Sequence, residues 1–252
     1  MIRSAWRQLR MAVALLTRVP VGYPEDARDE DVGPSAACYP IVGALVGGVT
    51  LAAYYGAGAV WDGPALPSVV ALVAWIAITG GLHVDGLMDA CDGLLSHRPR
   101  EEKLRIMKDP QVGAFGALGL AGVLLVKLGA LASLPWDRVW WAMLLAPVVG
   151  RLSMVYAGAA FPYARAEGGM GGSFAGGTGW RHFAVAVALT LAAVAAVREP
   201  RAWACLAVVA VCVWWVARRI ARSLGGMTGD TYGALCEVTE AFALLAFGAA
   251  IP

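Results

Sequence analysis

This sequence predicts an all-α, polytopic transmembrane helical bundle, and three observations lead there. Hydrophobic residues make up 59% of its 252 residues and charged residues only 15%, against about 25% charged in an ordinary soluble domain. Mean hydropathy is +0.65, more apolar surface than a water-soluble domain of this size can hide. Apolar segments also recur near 35–56, 66–82, 113–134, 139–160, 182–197, 202–217 and 232–251, close to the roughly 20 residues that a bilayer core demands of a helix. About seven spans with short connections account for the length, so residues 1–252 read as a single integral membrane domain. Disorder, a disulfide scaffold and a coiled coil are excluded. The net charge of +2 says little about partners and gives no sign of nucleic acid; membrane lipid is the surrounding expected.

Taken in order, residues 1–20 are not a secretory signal, because the apolar run Met11–Leu16 is short and Arg18 and Pro20 follow it. Trp6, Leu9, Val13 and Leu16 share one helical face, with Arg3, Arg7 and Arg10 on another, as in a helix lying in the membrane interface. The alternative is the opening of a long first helix. Glu25, Asp26, Asp29, Glu30 and Asp31 read as a solvated loop. The fifth and sixth segments are short and meet at Arg198-Glu199-Pro200-Arg201; they are taken as two spans rather than a hairpin that stops short of crossing. Gly168–Gly179 reads as a flexible, glycine-rich loop. Cys38, Cys91, Cys205, Cys212 and Cys236 show no metal or disulfide spacing and read as buried free thiols.

Orientation follows from lysine and arginine placement. With the N-terminus cytoplasmic, 15 of the 20 basic residues fall on the inner side, and only Arg138, Arg198 and Arg201 on the outer. Lys127 and Arg151 lie within spans. Several tryptophans, including Trp61, Trp136, Trp180 and Trp203, fall near span ends, as an aromatic belt does.

The acidic residues carry the chemistry. Asp85, Asp89 and Asp92 are spaced i, i+4, i+7 and lie within about 60° of one another on a helix. Three carboxylates on one face repel unless a cation sits among them, and an all-oxygen set favours Mg2+. His83 falls on the opposite face of a continuous helix, but the Gly80-Gly81 pair predicts a break that lets it turn toward the carboxylates. Asp230, Glu237 and Glu240 form a second one-faced group, and an ionised carboxylate inside a span needs a partner or a metal. Both groups fall at the cytoplasmic face, so Asp85, Asp89, Asp92, Asp230, Glu237 and Glu240 are expected to face one cavity holding one or two Mg2+ ions. Lys108, beside the glycines of Val112–Gly116, suits a phosphate. Arg151, buried in a span, needs anionic partners, either carboxylates or substrate phosphate, and Arg165 is a further cation from its loop.

The stretch GGLHVDGLMDACDGL closely resembles the signature of the cobalamin synthase (CobS) family of adenosylcobinamide-GDP ribazoletransferases. Leu16–Val21, Tyr39–Gly43, MKDPQVGAFG, Gly150-Arg151 and GGMTGDTYGALCEVTE extend the similarity in order along essentially the whole chain. The segment Tyr163–Phe174 departs from the family pattern, with Ala166 where the family more often has proline, which leaves that loop's role open. The resemblance implies a Mg2+-dependent enzyme of the bacterial cytoplasmic (inner) membrane. It would join α-ribazole, or its 5′-phosphate, to the cobinamide-linked phosphorus of adenosylcobinamide-GDP and release GMP. Such a displacement needs metal for the leaving group, cations on the transferred phosphorus and a base for the attacking hydroxyl. Asp85, Asp89 and Asp92 supply the metal site, together with the second acidic group. Lys108 with Arg18, Arg151 and Arg165 supplies substrate-binding cations, and His83 or a free carboxylate the base. The D-G-x-x-D-x-x-D-G order is also similar, more loosely, to membrane CDP-alcohol phosphotransferases. An ion-coupled transporter is the remaining alternative class, although the sequence shows no internal repeat. Self-association is left open by the sequence.

Overall fold

The computed structural model describes residues 2–24, 26–166 and 169–249, with the backbone alone for 2–4. Glu25 and Gly168, and the end of the segment expected at 232–251, lie outside the described residues. Among those described there is no β-strand, only an isolated bridge between Tyr163 and Met227.

The amphipathic N-terminal segment is helix α1 (Ile2–Leu16), with Met11, Ala12 and Leu16 buried and Trp6 exposed. The acidic stretch behind it is less loose than a solvated loop, because Arg7 bridges Asp26 (2.5 Å) and Asp31 (2.8 Å). A short helix, α2 (Val32–Ser35), leads into α3 (Tyr39–Gly58). Then come α4 (Ala65–Thr79), α5 (Leu82–Leu94), α6 (Arg100–Ile106), α7 (Ala114–Ser133) and α8 (Trp136–Ala160). The glycine-rich segment expected to be a flexible loop instead forms α9 (Met170–Gly177), anchored by buried Phe174. The chain finishes with α10 (Trp180–Val197), α11 (Pro200–Leu224) and α12 (Gly229–Gly248).

Five helical stretches are individually long and apolar enough to cross a membrane: 29–58, which ends in α3, and α7, α8, α10 and α11. Helices α4 and α5 qualify only together, and they meet at 90°. That bend is the break expected at Gly80-Gly81: both glycines are left-handed, with φ of 63° and 73°, closing α4 and opening α5. We read α5 as lying across the end of the bundle rather than continuing the crossing of α4. Helix α12 matches the seventh expected segment, but Glu237 and Glu240 lower its apolarity.

Helix α8 is the axis, packed against α3, α10 and α12. Its approach to α3 depends on Gly43 and Gly47, a four-residue spacing that lets helix backbones touch. A Cβ at Gly43 would lie 2.5 Å from the Pro147 carbonyl oxygen, and one at Gly47 would lie 2.8 Å from the Leu144 backbone. Helix ends sort into two groups. At one, Arg100 donates from Nε to the Leu224 carbonyl (2.6 Å) and from Nη2 to the Ala164 carbonyl (2.9 Å), joining α6, the α8–α9 connection and the end of α11. At the other, Tyr55 meets Trp136 edge-on and Arg138 donates to the Ala249 carbonyl.

The glycine contact predicts a sharp contrast along one helix. Gly43→Ala forces α3 off α8 and costs about 1–3 kcal/mol, as overpacking does. Gly48→Ala, with nothing within 4 Å of the new Cβ, stays neutral or stabilises through helix propensity. Melting curves of the two detergent-solubilised variants check this; equal midpoints would mean that the α3–α8 contact is not tight.

A candidate active site at the α5–α12 crossing

The site forms where α5 lies against the start of α12. Gly86 makes room for the Asp230 backbone, 2.8 Å from where its Cβ would stand, and Gly233 does the same for His83 (3.1 Å). The turn into α12 is fixed locally. Gly225 ends α11 in a left-handed conformation, and Thr228 caps α12, its hydroxyl accepting from the Thr231 amide. Met227 also pairs with the 162–164 backbone: its amide donates to Pro162, and the Ala164 amide donates to its carbonyl. This clamp puts Arg165 beside Asp230, with Nη2 2.7 Å from Oδ2.

A cavity of about 380 Å3 opens over this crossing, lined by His83, Asp85, Asp230 and Arg165 and walled by Tyr39, Phe174 and Tyr232. The Tyr39 and Phe174 rings stack at 5.5 Å, and Phe174 meets Tyr232 at 4.8 Å. Among the described residues seven buried side-chain polar atoms have no hydrogen-bond partner, and three of them, His83 Nε2, Arg165 Nε and Tyr232 OH, belong to residues that line this cavity. Buried polar atoms are rarely left so; three on one cavity mark a place where a ligand supplies the partners. Asp89 lies one turn from Asp85 on α5, half-buried. Burial, with the charges of Asp230 and Asp85, pushes its carboxyl up to about 6. That crowding is what a cation relieves.

The other expected site residues have different surroundings. Asp92 is engaged by protein: its two oxygens accept from the Gly113 and Gly116 amides, both at 2.8 Å. It therefore caps α7 from a neighbouring helix, where a carboxylate meets the unpaired amides and the positive dipole end. Glycine is required at both positions because a Cβ would collide with that carboxylate. Glu237 and Glu240 are buried and ion-paired. Lys127 Nζ reaches both, at 2.6 Å and 2.5 Å, and Arg151 closes on the other oxygen of Glu240. The metal expectation thus narrows from six carboxylates to Asp85, Asp89 and Asp230. Arg151 takes the carboxylate alternative that the sequence left open rather than substrate phosphate, and its Nη2 lies 3.5 Å from His83 Nδ1. Arg18 is exposed, with its side chain over Gly80 at the end of α4. Lys108 lines a second, basic cavity on the far side of Arg165.

Sequence reasoning missed Lys127 as the partner of the buried glutamates; its signal was a lone lysine inside an apolar span. Among the described residues no group of three or more histidine, cysteine, aspartate or glutamate side chains is arranged to hold a metal by itself. Asp85, Asp89 and Asp230 nonetheless offer hard oxygen donors of the kind Mg2+ takes. That ion is ordinarily held by one or two carboxylates, with water and substrate phosphates completing its shell.

The model of the cobalamin-5-phosphate synthase family matches residues 8–248. Relatives named adenosylcobinamide-GDP ribazoletransferase align over nearly the full length. The one from Roseiflexus sp. is 42% identical over 92% of this chain and 86% of its own. That from Desulforamulus reducens is 39% identical over 94% of each, and that from Herpetosiphon aurantiacus 38% over 97% of each. No solved structure matches the chain. With the family's acidic signature on α5 and its last motif on the α11–α12 turn that faces it, the chain belongs to the cobalamin-5-phosphate synthase family.

Proposed function

We propose that this protein is an adenosylcobinamide-GDP ribazoletransferase of the bacterial cytoplasmic membrane, with its site at the cytoplasmic face. The observation that carries the site is that His83, Arg165 and Tyr232, each with a buried polar atom that has no partner among the described residues, line one cavity with Asp85 and Asp230. The family supplies the reaction. A ribose hydroxyl of α-ribazole, or of its 5′-phosphate, attacks the phosphorus bonded to cobinamide. The bond from that phosphorus to the bridging oxygen breaks, and GMP leaves with that oxygen and the electron pair.

The residues divide the work as follows. Arg165, already turned toward Asp230, places a guanidinium where phosphate oxygens gain charge. His83 acts as a donor. A guanidinium cannot accept a hydrogen bond, so Arg151 beside Nδ1 leaves the lone pair of the neutral ring there and the proton on Nε2. That N–H, on a residue that lines the cavity, suits a phosphate oxygen. The role of base then falls to a carboxylate, and Asp85, whose side chain is the open one, takes the hydroxyl proton. Asp85 and Asp89, with Asp230, would hold Mg2+, which when bound neutralises the diphosphate and the departing GMP.

Asp89→Asn keeps shape and removes charge. The expected outcome is a loss of about 100-fold in GMP release, comparable with deleting a strong electrostatic contact to a transition state, only partly recovered by added Mg2+. The check is a Mg2+ titration of steady-state GMP release by a variant that elutes as wild type does. A near-normal rate with unchanged Mg2+ dependence would make Asp89 structural.

The orientation has its own test. In a background lacking the native cysteines, Trp61→Cys is expected to react with a membrane-impermeant maleimide on whole cells, and Arg98→Cys only after lysis. The reverse pattern would overturn the orientation and the cytoplasmic placement of the site.

A further inference from the structure

Arg165 separates two cavities of opposite character. On one side is the carboxylate cavity, whose remaining wall is apolar and aromatic: Leu15, Leu16, Met154, Tyr39, Phe174 and Tyr232. On the other is a basic cavity of about 380 Å3 between α6 and the 164–166 segment, lined among the described residues by Arg100, Arg105, Lys108 and Arg165, with Glu101 as the acidic residue. Its shape is fixed by contacts on both sides of Arg165. Arg100 is pinned to the carbonyls of Leu224 and Ala164, and Arg165 reaches the Met107 carbonyl at the base of α6 as well as Asp230. Arg165 lines both cavities, and its buried Nε has no partner among the described residues.

We infer that the basic cavity is the seat of the donor's nucleoside diphosphate arm, with Arg165 spanning from that arm to the phosphorus being transferred. The inference rests on the functional reading above and deepens it. A diphosphate carries several negative charges. With its cation bound, the carboxylate cavity holds the phosphorus being transferred at its Arg165 edge, and the guanidinium and ammonium groups around the basic cavity, though most are ion-paired, attract the nucleotide half beyond it. About 380 Å3 falls within the range of roughly 300–1,000 Å3 typical of small-molecule sites, so the nucleotide fits there while cobinamide remains outside. The aromatic wall is left for the acceptor, whose flat, uncharged base stacks where a nucleotide's phosphates have no partner. GMP, once released, leaves from the basic side without crossing the acceptor's position.

The probes are GDP and inorganic pyrophosphate, titrated against detergent-solubilised protein by tryptophan fluorescence. Arg105→Glu and Lys108→Ala are suitable variants: both side chains are exposed, and among the described residues the ion pair of Arg105 is with Glu102 on its own helix. The expected result is GDP binding to wild type, competed by pyrophosphate and weakened about tenfold or more in Arg105→Glu. The KM for adenosylcobinamide-GDP should rise in step, with the KM for α-ribazole unchanged. Wild-type transfer activity together with unchanged GDP affinity and donor KM in both variants would overturn the subsite and leave the functional reading standing. So would a failure of active wild type to bind GDP. Absence of transfer by wild type would sink the functional reading instead, and GDP binding would still read the cavity by itself.

Discussion

Two cations and two carboxylates, sealed inside the bundle, set the positions of everything around them. Lys127 comes from α7, Arg151 from α8, and Glu237 and Glu240 from α12, and their formal charges cancel. Each member is almost wholly buried, and the charged groups answer one another. Lys127 also sits over the Trp75 ring at 4.7 Å, which adds α4 to the group. Four helices are thereby held at one point where a slip of a single turn would strand a charge in an apolar interior. Removing one partner of such a buried pair typically costs about 3–5 kcal/mol. An apolar replacement of the whole set can be neutral, so the set specifies an arrangement more than it adds stability.

That arrangement is linked to the cavity through Arg151 and His83. Arg151 stands on Glu240 at one side and on His83 Nδ1 at the other. The ring that lines the cavity is therefore oriented by the same charges that position α7, α8 and α12. Gly150 and Gly233 permit the close packing this needs, since a Cβ at either would press on Glu240 or on His83. None of the four buried ions is among the residues lining the cavity; Arg151 meets it only through His83.

Much of this was legible in the sequence, and the failures share one cause. The fold class followed from apolar segments of span length, and the bend from two adjacent glycines, because both are local properties. The need of Glu237 and Glu240 for a partner was legible too, since a carboxylate in a span is costly alone. The identity of that partner was not: Lys127 is 110 residues from Glu237, and periodicity says nothing about which helices adjoin. Asp92 shows the same limit. Its spacing on α5 is that of Asp85 and Asp89, yet its oxygens are taken by amides of α7. The signal lay elsewhere, in Gly113 and Gly116 three residues apart at a helix start. Arg100 and Arg105 went unnoticed because basic residues beside a span already had an explanation as orientation markers.

The 90° turn at Gly80-Gly81 resolves a conflict between the carboxylates and the membrane. Had α5 continued the line of α4, Asp85 and Asp89 would stand within an apolar segment, where each charge must be paired or neutralised. Glu237 and Glu240 accept that condition and are consumed by it, since their oxygens are committed to Lys127 and Arg151. Turning α5 across the end of the bundle leaves Asp85 open and Asp89 half-buried. There no cation among the described residues forms an ion pair with them, while Asp92, deeper on the same helix, fastens α5 to α7. A helix with one carboxylate spent on anchoring and two kept available is rigid at one end and reactive at the other, which suits a transfer reaction that must hold charged phosphates beside a membrane without drawing them into it.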